Sequence, residues 1–529
     1  MREQLAQILE APQFSQAARL RKFLTYVVEE TLEGRKAHLN QYALAMDVFE
    51  RDETFDPSID AIVRVEAARL RSKLREYYYE AGKGEAVVIE LAKGGYAAAF
   101  HLHNTTENKK KAGKELPASP VISAGAKQTA TVENPPAEPT IAVLPFVDMS
   151  PFPDQDYLAD GLCEDLMTDL SKISGLSVIA RQSTFAYKGK PTTVKQICAE
   201  LGADYAIEGS VRKAGDKLRI NAQLIEGLSE KHLWAERYDC DYTDIFTVQD
   251  QVNRDIINAL SFHFTPSRTV RAPTSDILGY DYLLLGAKEA RSFTKEGSAN
   301  ARYCYERAIE LDPNYADAHA RLSINRVFQW IACWDNSHES SVGLGLELAR
   351  RAVALDEASS FTHAALCWAL MWNGEHDRAI EIGRKACALN QNDVDALERL
   401  SMTLGWANEP DAAFEILQQA QRLNPLEPYN GPKGMLKYMQ HDYSQAIDLF
   451  ERSIKLHANF IPAYLYLASI YGTMGKKDKA AQMIRKITET NPNYIFTRSR
   501  YAQLKHEADR DRFAEGLKAS GVKEFIGEE

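Results

Sequence analysis

The chain has 529 residues, 45% of them hydrophobic and 26% charged, with a net charge of −11. That length exceeds what one hydrophobic core supports and predicts three or four domains. The acidic balance excludes a histone-like polyanion binder but leaves room for one local DNA-binding face.

Seven cysteines (Cys163, Cys198, Cys240, Cys304, Cys333, Cys367 and Cys387) stand singly, without a C-x-x-C pair or a histidine at metal-ligand spacing. They read as reduced structural residues, and no metal site is expected. No run approaches the ~18 apolar residues of a membrane helix. The first ten residues read as an amphipathic helix rather than a signal peptide, so a cytoplasmic protein with no membrane partner is expected.

Residues 1–103 are expected to hold three or four helices and a hairpin. Leu20, Phe23, Leu24, Val27, Val28, Thr31 and Leu32 form a helical stripe over 17–33 that stops at Gly34. A second helix over 40–49 starts at Asn40, a good cap, and Phe55-Asp56-Pro57 turns the chain into a third. In that third helix Val63, Ala67, Leu70, Leu74 and Tyr77 share one face. Arg64, Arg71 and Arg75 fall on a second face, and Arg69 and Lys73 on another.

Residues 64–75 therefore carry five cations against one acid, Glu66. Such a helix suits phosphate contacts, although charge runs of this kind also occur as solvated faces. Residues 86–100 then read as two apolar strands around Lys93-Gly94-Gly95. Against strong non-specific DNA affinity, residues 1–103 hold 14 basic and 16 acidic residues.

Arg69-Leu70-Arg71, the apolar heptads beside it and Gly95-Tyr96 resemble the recognition helix and wing of response-regulator-type winged-helix domains. A bacterial group of amino-terminal domains is more similar still, through residues 19–32, Val48-Phe49, Phe55-Asp56-Pro57 and 62–66. The resemblance implies double-stranded DNA as partner, with Arg64, Arg69 and Arg71 as groove or phosphate contacts and Lys93 in the wing. No amino-terminal sheet precedes the helices and no receiver domain is attached, so the resemblance reaches the fold further than the docking geometry.

From 104 to 139 the composition turns to Thr, Lys, Ala, Pro, Ser and Glu, a flexible linker whose Lys109-Lys110-Lys111 keeps it soluble or adds phosphate contacts. Residues 140–262 read as strand, helix, strand, helix, two strands joined at Ala214-Gly215-Asp216, a strand near 234–238 and a closing helix, an α/β layer. Residues 141–146, 158–166, 176–181, 185–190, 201–205, 208–212 and 233–238 resemble the TolB amino-terminal-like domain. That implies a recognition or assembly module, with no catalytic residues to carry over.

Residues 278–520 repeat. A small residue followed ten positions later by a helix end recurs at Ala301/Leu311, Gly345/Leu355, Ala379/Leu389, Ala413/Leu423, Ala446/Leu456 and Ala480/Thr490, with offsets of 44, 34, 34, 33 and 34. That is the tetratricopeptide period with one insertion near 334–341. Residues 464–492 fit the family pattern best, and two further helices between Tyr494 and Ser520 are expected to cap the open end. Tyr282, Phe328, Trp330, Trp334, Trp368 and Trp372 read either as core or as the lining of a peptide groove.

The fold class is thus multidomain: an α+β winged helix, an α/β middle domain and an all-α tetratricopeptide superhelix. Little supports an enzyme. Asp154, Asp156, Asp160, Glu164, Asp165 and Asp169 cluster around one helix, where acidic first turns suit the helix dipole. Gly189-Lys190-Pro191-Thr192 lacks the earlier glycine of a phosphate loop, and a class III cyclase domain needs about 150 residues more than any unassigned stretch offers. No catalytic residue and no cofactor is expected. The reading is a cytoplasmic transcriptional regulator that meets DNA through Arg64, Arg69, Arg71, Lys73, Arg75 and Lys93. Its repeats take a protein or peptide partner, and a homodimer forms on DNA. The alternative is a scaffold that never meets DNA, or a cyclase-associated regulatory protein without a catalytic domain.

Overall fold

The structure is a computed structural model. It describes residues 1–102, 138–260 and 274–522, apart from 12–13, 15–16, 53–54, 56–61, 81, 83–84, 86, 92–94, 151–155, 174, 275, 336, 338, 493, 497–500 and 502. Most of the expected linker, Lys93, Asp154 and the Asp56-Pro57 turn lie outside the described residues. The chain divides into two compact units, Met1–Val48 with Ala67–Glu138, and Phe49–Glu66 with Pro139–Glu529.

The first unit holds helices α1 (Arg2–Glu10), α2 (Ala18–Leu32) and α3 (Gln41–Asp47), most of α4 (Ile62–Glu80), and the antiparallel pair β1 (Val87–Leu91) and β2 (Ala98–Leu102). Asn40 caps α3, its side chain accepting from the N–H groups of Tyr42 and Ala43 at 3.0 and 3.1 Å. Gly34, at φ +77°, ends the second helix as expected. Thr31 ties α2 to the hairpin: its hydroxyl donates to Val27 O at 2.7 Å and accepts from Ala98 N–H at 3.1 Å. The stripe Val63, Ala67, Leu70, Leu74 and Tyr77 is buried throughout.

In the second unit a mixed sheet has the order β5-β3-β6-β7-β8. Its strands are β3 (Thr140–Val143), β4 (Val147–Asp148), β5 (Ser177–Val178), β6 (Tyr205–Ala214), β7 (Lys217–Glu226) and β8 (Lys231–Asp241). β3 runs parallel to β5 and β6, whereas β6, β7 and β8 are antiparallel. The β6–β7 turn is at Gly215, φ +60°. Alternation sends Ile141 and Val143 to one apolar cluster, beneath α5 (Asp156–Ser171) and α8 (Ile245–Leu260). Ala142 and Leu144 go to another, beneath α7 (Val194–Leu201). Two features differ from expectation. A short helix, α6 (Arg181–Phe185), precedes α7, and β8 runs well beyond 234–238 because it pairs with nearly all of β7.

Six helix pairs follow: α9 (Ile277–Ala290) with α10 (Lys295–Leu311), α11 (Ala316–Ile331) with α12 (Leu344–Leu355), α13 (Ser360–Trp372) with α14 (His376–Leu389), α15 (Val394–Trp406) with α16 (Pro410–Leu423), α17 (Asn430–Met439) with α18 (Tyr443–Leu456), and α19 (Ile461–Thr473) with α20 (Lys477–Thr490). The recurring small residues all lie buried on the second helices. At Gly345 a Cβ would come within 2.9 Å of Val327, which explains glycine where the other pairs have alanine. The insertion falls between α11 and α12 and includes a π-helical turn at Glu339–Gly343.

Two capping helices were expected after Tyr494. Among the described residues there is one, α21 (Glu507–Ala519), and Gln503–His506 is not helical. α21 packs against α19, the first helix of the last pair. Among the described residues no helix is long and apolar enough to cross a membrane.

Candidate functional site

Of the cations expected to meet DNA, Arg71 is half-buried and fixes the hairpin. Its Nε donates to Leu91 O at 3.1 Å and its Nη2 to Gly95 O at 2.9 Å. One planar guanidinium thereby binds both sides of the turn to the helix. Arg69, Lys73 and Arg75 lie on α4 and are half-buried like Arg71.

Arg64 belongs to the second unit, where its Nε lies 3.2 Å from Glu296 Oε1 and its Nη2 3.4 Å from Asn300 Oδ1. Two residues on, Glu66 is fully buried. Its Oε1 accepts from the hydroxyls of Tyr282 and Tyr303, both at 2.7 Å. Burial and the adjacent Glu66 charge push the Tyr303 phenol well above its ordinary value. Sequence reasoning missed Glu66, because an acid in a cationic helix signals nothing until its donors, more than 200 positions away, are known.

Three of the acidic residues of α5, Asp156, Glu164 and Asp165, join the sheet domain to the helix pairs, whereas Asp160 and Asp169 have partners within the sheet domain. Glu164 meets Arg321 at 2.7 Å, Arg291 at 3.1 Å and Arg181 at 3.7 Å. Burial alone would raise its pKa, but the three guanidiniums outweigh that and hold it at about 2. Asp160 pairs with Arg181 and Lys188, and Asp156 lies 2.7 Å from Lys288 Nζ.

Asp165 accepts from Tyr280 at 2.5 Å and from Gln249 at 2.9 Å. Burial pushes it up to about 7, with Asp169 and Glu164 adding to the rise against the Tyr280 hydrogen bond. Asp169 accepts from Asn253 at 2.8 Å. Each described acid of the cluster has a basic or polar partner, and among the described residues no group of three or more ligands could hold a metal ion.

The same domain rests on the turns between pairs. Asn392 donates to Ser171 O and Leu176 O at 3.0 and 2.9 Å, Asn390 to Ser171 Oγ at 2.7 Å, and Ala180 N–H to Leu423 O at 2.7 Å.

The candidate groove aromatics divide. Tyr282 binds Glu66, Trp330 is core, and Phe328 packs edge-on with Trp334, their centroids 5.5 Å apart. Trp368 and Trp372 meet Trp406 at centroid distances of 6.4 and 5.8 Å.

The chain carries two recognisable classes of module. Residues 137–257 match the second domain of HilA/YgeH-like transcriptional regulators, and residues 437–507 match the tetratricopeptide repeat. Among individual proteins, one of Rhizobium meliloti (strain 1021) named "Putative adenylate cyclase 3" is 44% identical over 247 residues, 46% of this chain and 42% of that one. The chain thus spans less than half the length of that curated relative. The solved structure of Pseudomonas aeruginosa pilF is similar over 41% of this chain and 93% of its own, at 19% identity and a TM-score of 0.29. A thermophilic tetratricopeptide protein of Thermus thermophilus is similar over 45% of this chain and 99% of its own, at 17% identity and a TM-score of 0.25.

Proposed function

We propose that the protein is a DNA-binding transcriptional regulator whose helix pairs take a protein or peptide partner. The observation that carries this is Arg71 clamping both sides of the hairpin turn onto a helix that also carries Arg69, Lys73 and Arg75. A helix and hairpin locked together suit a winged-helix reader, with the helix in the major groove and the hairpin at the backbone. The HilA/YgeH-like match of the middle domain, here also read as TolB-like, supports a regulatory setting.

The likeness to the cyclase-named protein is taken to reflect a non-catalytic part that the two share. We place the regulator in the cytoplasm, acting as a homodimer on DNA. The scaffold reading keeps one specific support: Arg64 already has Glu296 and Asn300 as partners within the chain.

The test is binding of the full chain to the duplex upstream of its own gene, against a scrambled duplex, across a salt series. R69A/K73A/R75A is expected to lose at least tenfold in affinity and to lower the salt slope by about 1 per phosphate contact removed. Its far-UV circular dichroism should stay unchanged. Equal binding by the variant and the parent would favour the scaffold.

A further inference from the structure

Helix α4 is divided between the two units. Its first turn, residues 62–66, belongs to the second unit and the remainder to the first. That turn is held along one face of α10, where Glu296, Asn300 and Tyr303 follow one another at spacings of four and three. Glu296 Oε1 lies 3.2 Å from Arg64 Nε, and Asn300 Oδ1 accepts from Arg64 Nη2 at 3.4 Å. Asn300 is itself aimed by a second bond, its Nδ2 donating to Glu289 Oε2 at 2.7 Å. Tyr282 of α9 and Tyr303, packed edge-on with centroids 6.4 Å apart, both donate to Oε1 of Glu66.

Arg64 and Glu66 leave a helix about 200° apart, yet both are engaged. Cα–Cβ bonds tilt toward a helix N-terminus, so side chains of the first turn can reach partners at the end of the helix. Glu66 is 0% exposed, and Ile62, Val63 and Val65 are buried with it. A carboxylate taken this far out of water keeps its place only through its donors. Removing those donors therefore favours release of the turn.

The N-terminal residues of a reading helix are the ones that meet base edges, and a major groove about 12 Å wide admits one helix. The first turn of α4 cannot lie in the groove while α10 covers it.

We propose that the first helix pair is an autoinhibitory clamp on the DNA-reading end of α4, closed by the bonds of Tyr282 and Tyr303 to Glu66 and of Glu296 and Asn300 to Arg64. The inference rests on the reading of α4 as a DNA-reading helix and adds how that helix is controlled. With these bonds made, the chain is in its closed form. A partner of the repeats that binds α9 and α10 better without α4 shifts the chain toward the DNA-competent form.

The test compares the full chain with Y282F/Y303F, which removes both donors and keeps both rings. Binding is measured at low salt to the duplex upstream of its own gene and to a random-sequence duplex. The variant is expected to bind both about tenfold more tightly than the parent, or better, since each lost bond to a buried charge favours opening. E296A/N300A, which releases Arg64, should give a smaller gain in the same direction.

If the parent binds and the folded variants bind no tighter, the clamp is wrong while the DNA-reading assignment survives. Weaker binding by folded variants also overturns the clamp, because the closed form would then be the one that meets DNA. If the parent and both folded variants leave both duplexes unbound, the DNA-reading assignment fails and the clamp with it. Should Y282F/Y303F not fold, E296A/N300A, altered where the Glu296 side chain is largely exposed, decides in its place.

Discussion

Arg71 shows how one side chain decides between two readings of a charge. Its guanidinium bridges Leu91 O and Gly95 O, so Arg71→Ala is expected to cost about 2–3 kcal/mol through lost charge-assisted hydrogen bonds. Amide exchange in β1 and β2 should rise with it. Arg71→Lys should not restore protection, because an ammonium lacks the fork that spans two carbonyls. A DNA-binding defect in R71A would therefore report a loosened hairpin, whereas one in R69A/K73A/R75A would report lost phosphate contacts. Glu164→Ala leaves three guanidiniums facing one another, and a loss of about 3–5 kcal/mol of stability in urea unfolding is expected. The cations on residues 64–75 were legible as a pattern. Which of them bind protein was not, since Glu296, Asn300, Leu91 and Gly95 are brought to them only by folding.

At the scale of elements, α21 lies so close to α19 that glycine is required on both sides. A Cβ on Gly472 would come 1.9 Å from Gly516 O, and one on Gly516 would come 2.4 Å from Ser469 O. Gly472→Ala is expected to cost about 1–3 kcal/mol by overpacking. Exchange protection should be lost first in α21 and at Lys505. Gly475→Ala strains the turn alone, at φ +69°, and is expected to cost about 1 kcal/mol without releasing α21. The six helix pairs were readable because each repeats one local pattern of small and apolar residues. The chain after Asn491 repeats nothing, so a helix was expected where Gln503–His506 is not helical and Leu504 N–H instead closes a turn on Tyr501 O at 3.0 Å.

For the whole molecule, two sets of buried groups oppose one another in pH. Burial raises Asp165 and Glu398 to about 7 each, so both keep a proton in the folded state that the unfolded chain gives up near pH 4. Their contribution is full below that value and is lost as pH rises through 7. Burial lowers His319, His363 and His376, so their contribution is present above about 6.5 and is lost as pH falls. Removing the first set with D165N/E398Q is expected to leave the histidines unopposed. Stability should then fall more steeply from pH 7 to pH 5, by up to about 1.4 kcal/mol per pH unit for each group removed. Urea unfolding of both proteins at pH 5, 6 and 7 checks the sign.

By itself the sequence determined the elements whose cause is local: the amphipathic stripe of α4, the Asn40 cap, the β6–β7 turn, and the period of the helix pairs with its one insertion. Caps, periodicity and turn residues act within a few positions, so they can be read there. Only the tertiary structure decided what the polar groups do. It placed Glu66 between two tyrosines and turned Asp156, Glu164 and Asp165 into joints with the helix pairs. It also brought Gln503, Lys505 and His506 onto the third and fourth pairs. Each of these depends on partners distant in sequence, and a buried charge or an irregular segment takes its energy from what surrounds it, which no local pattern encodes.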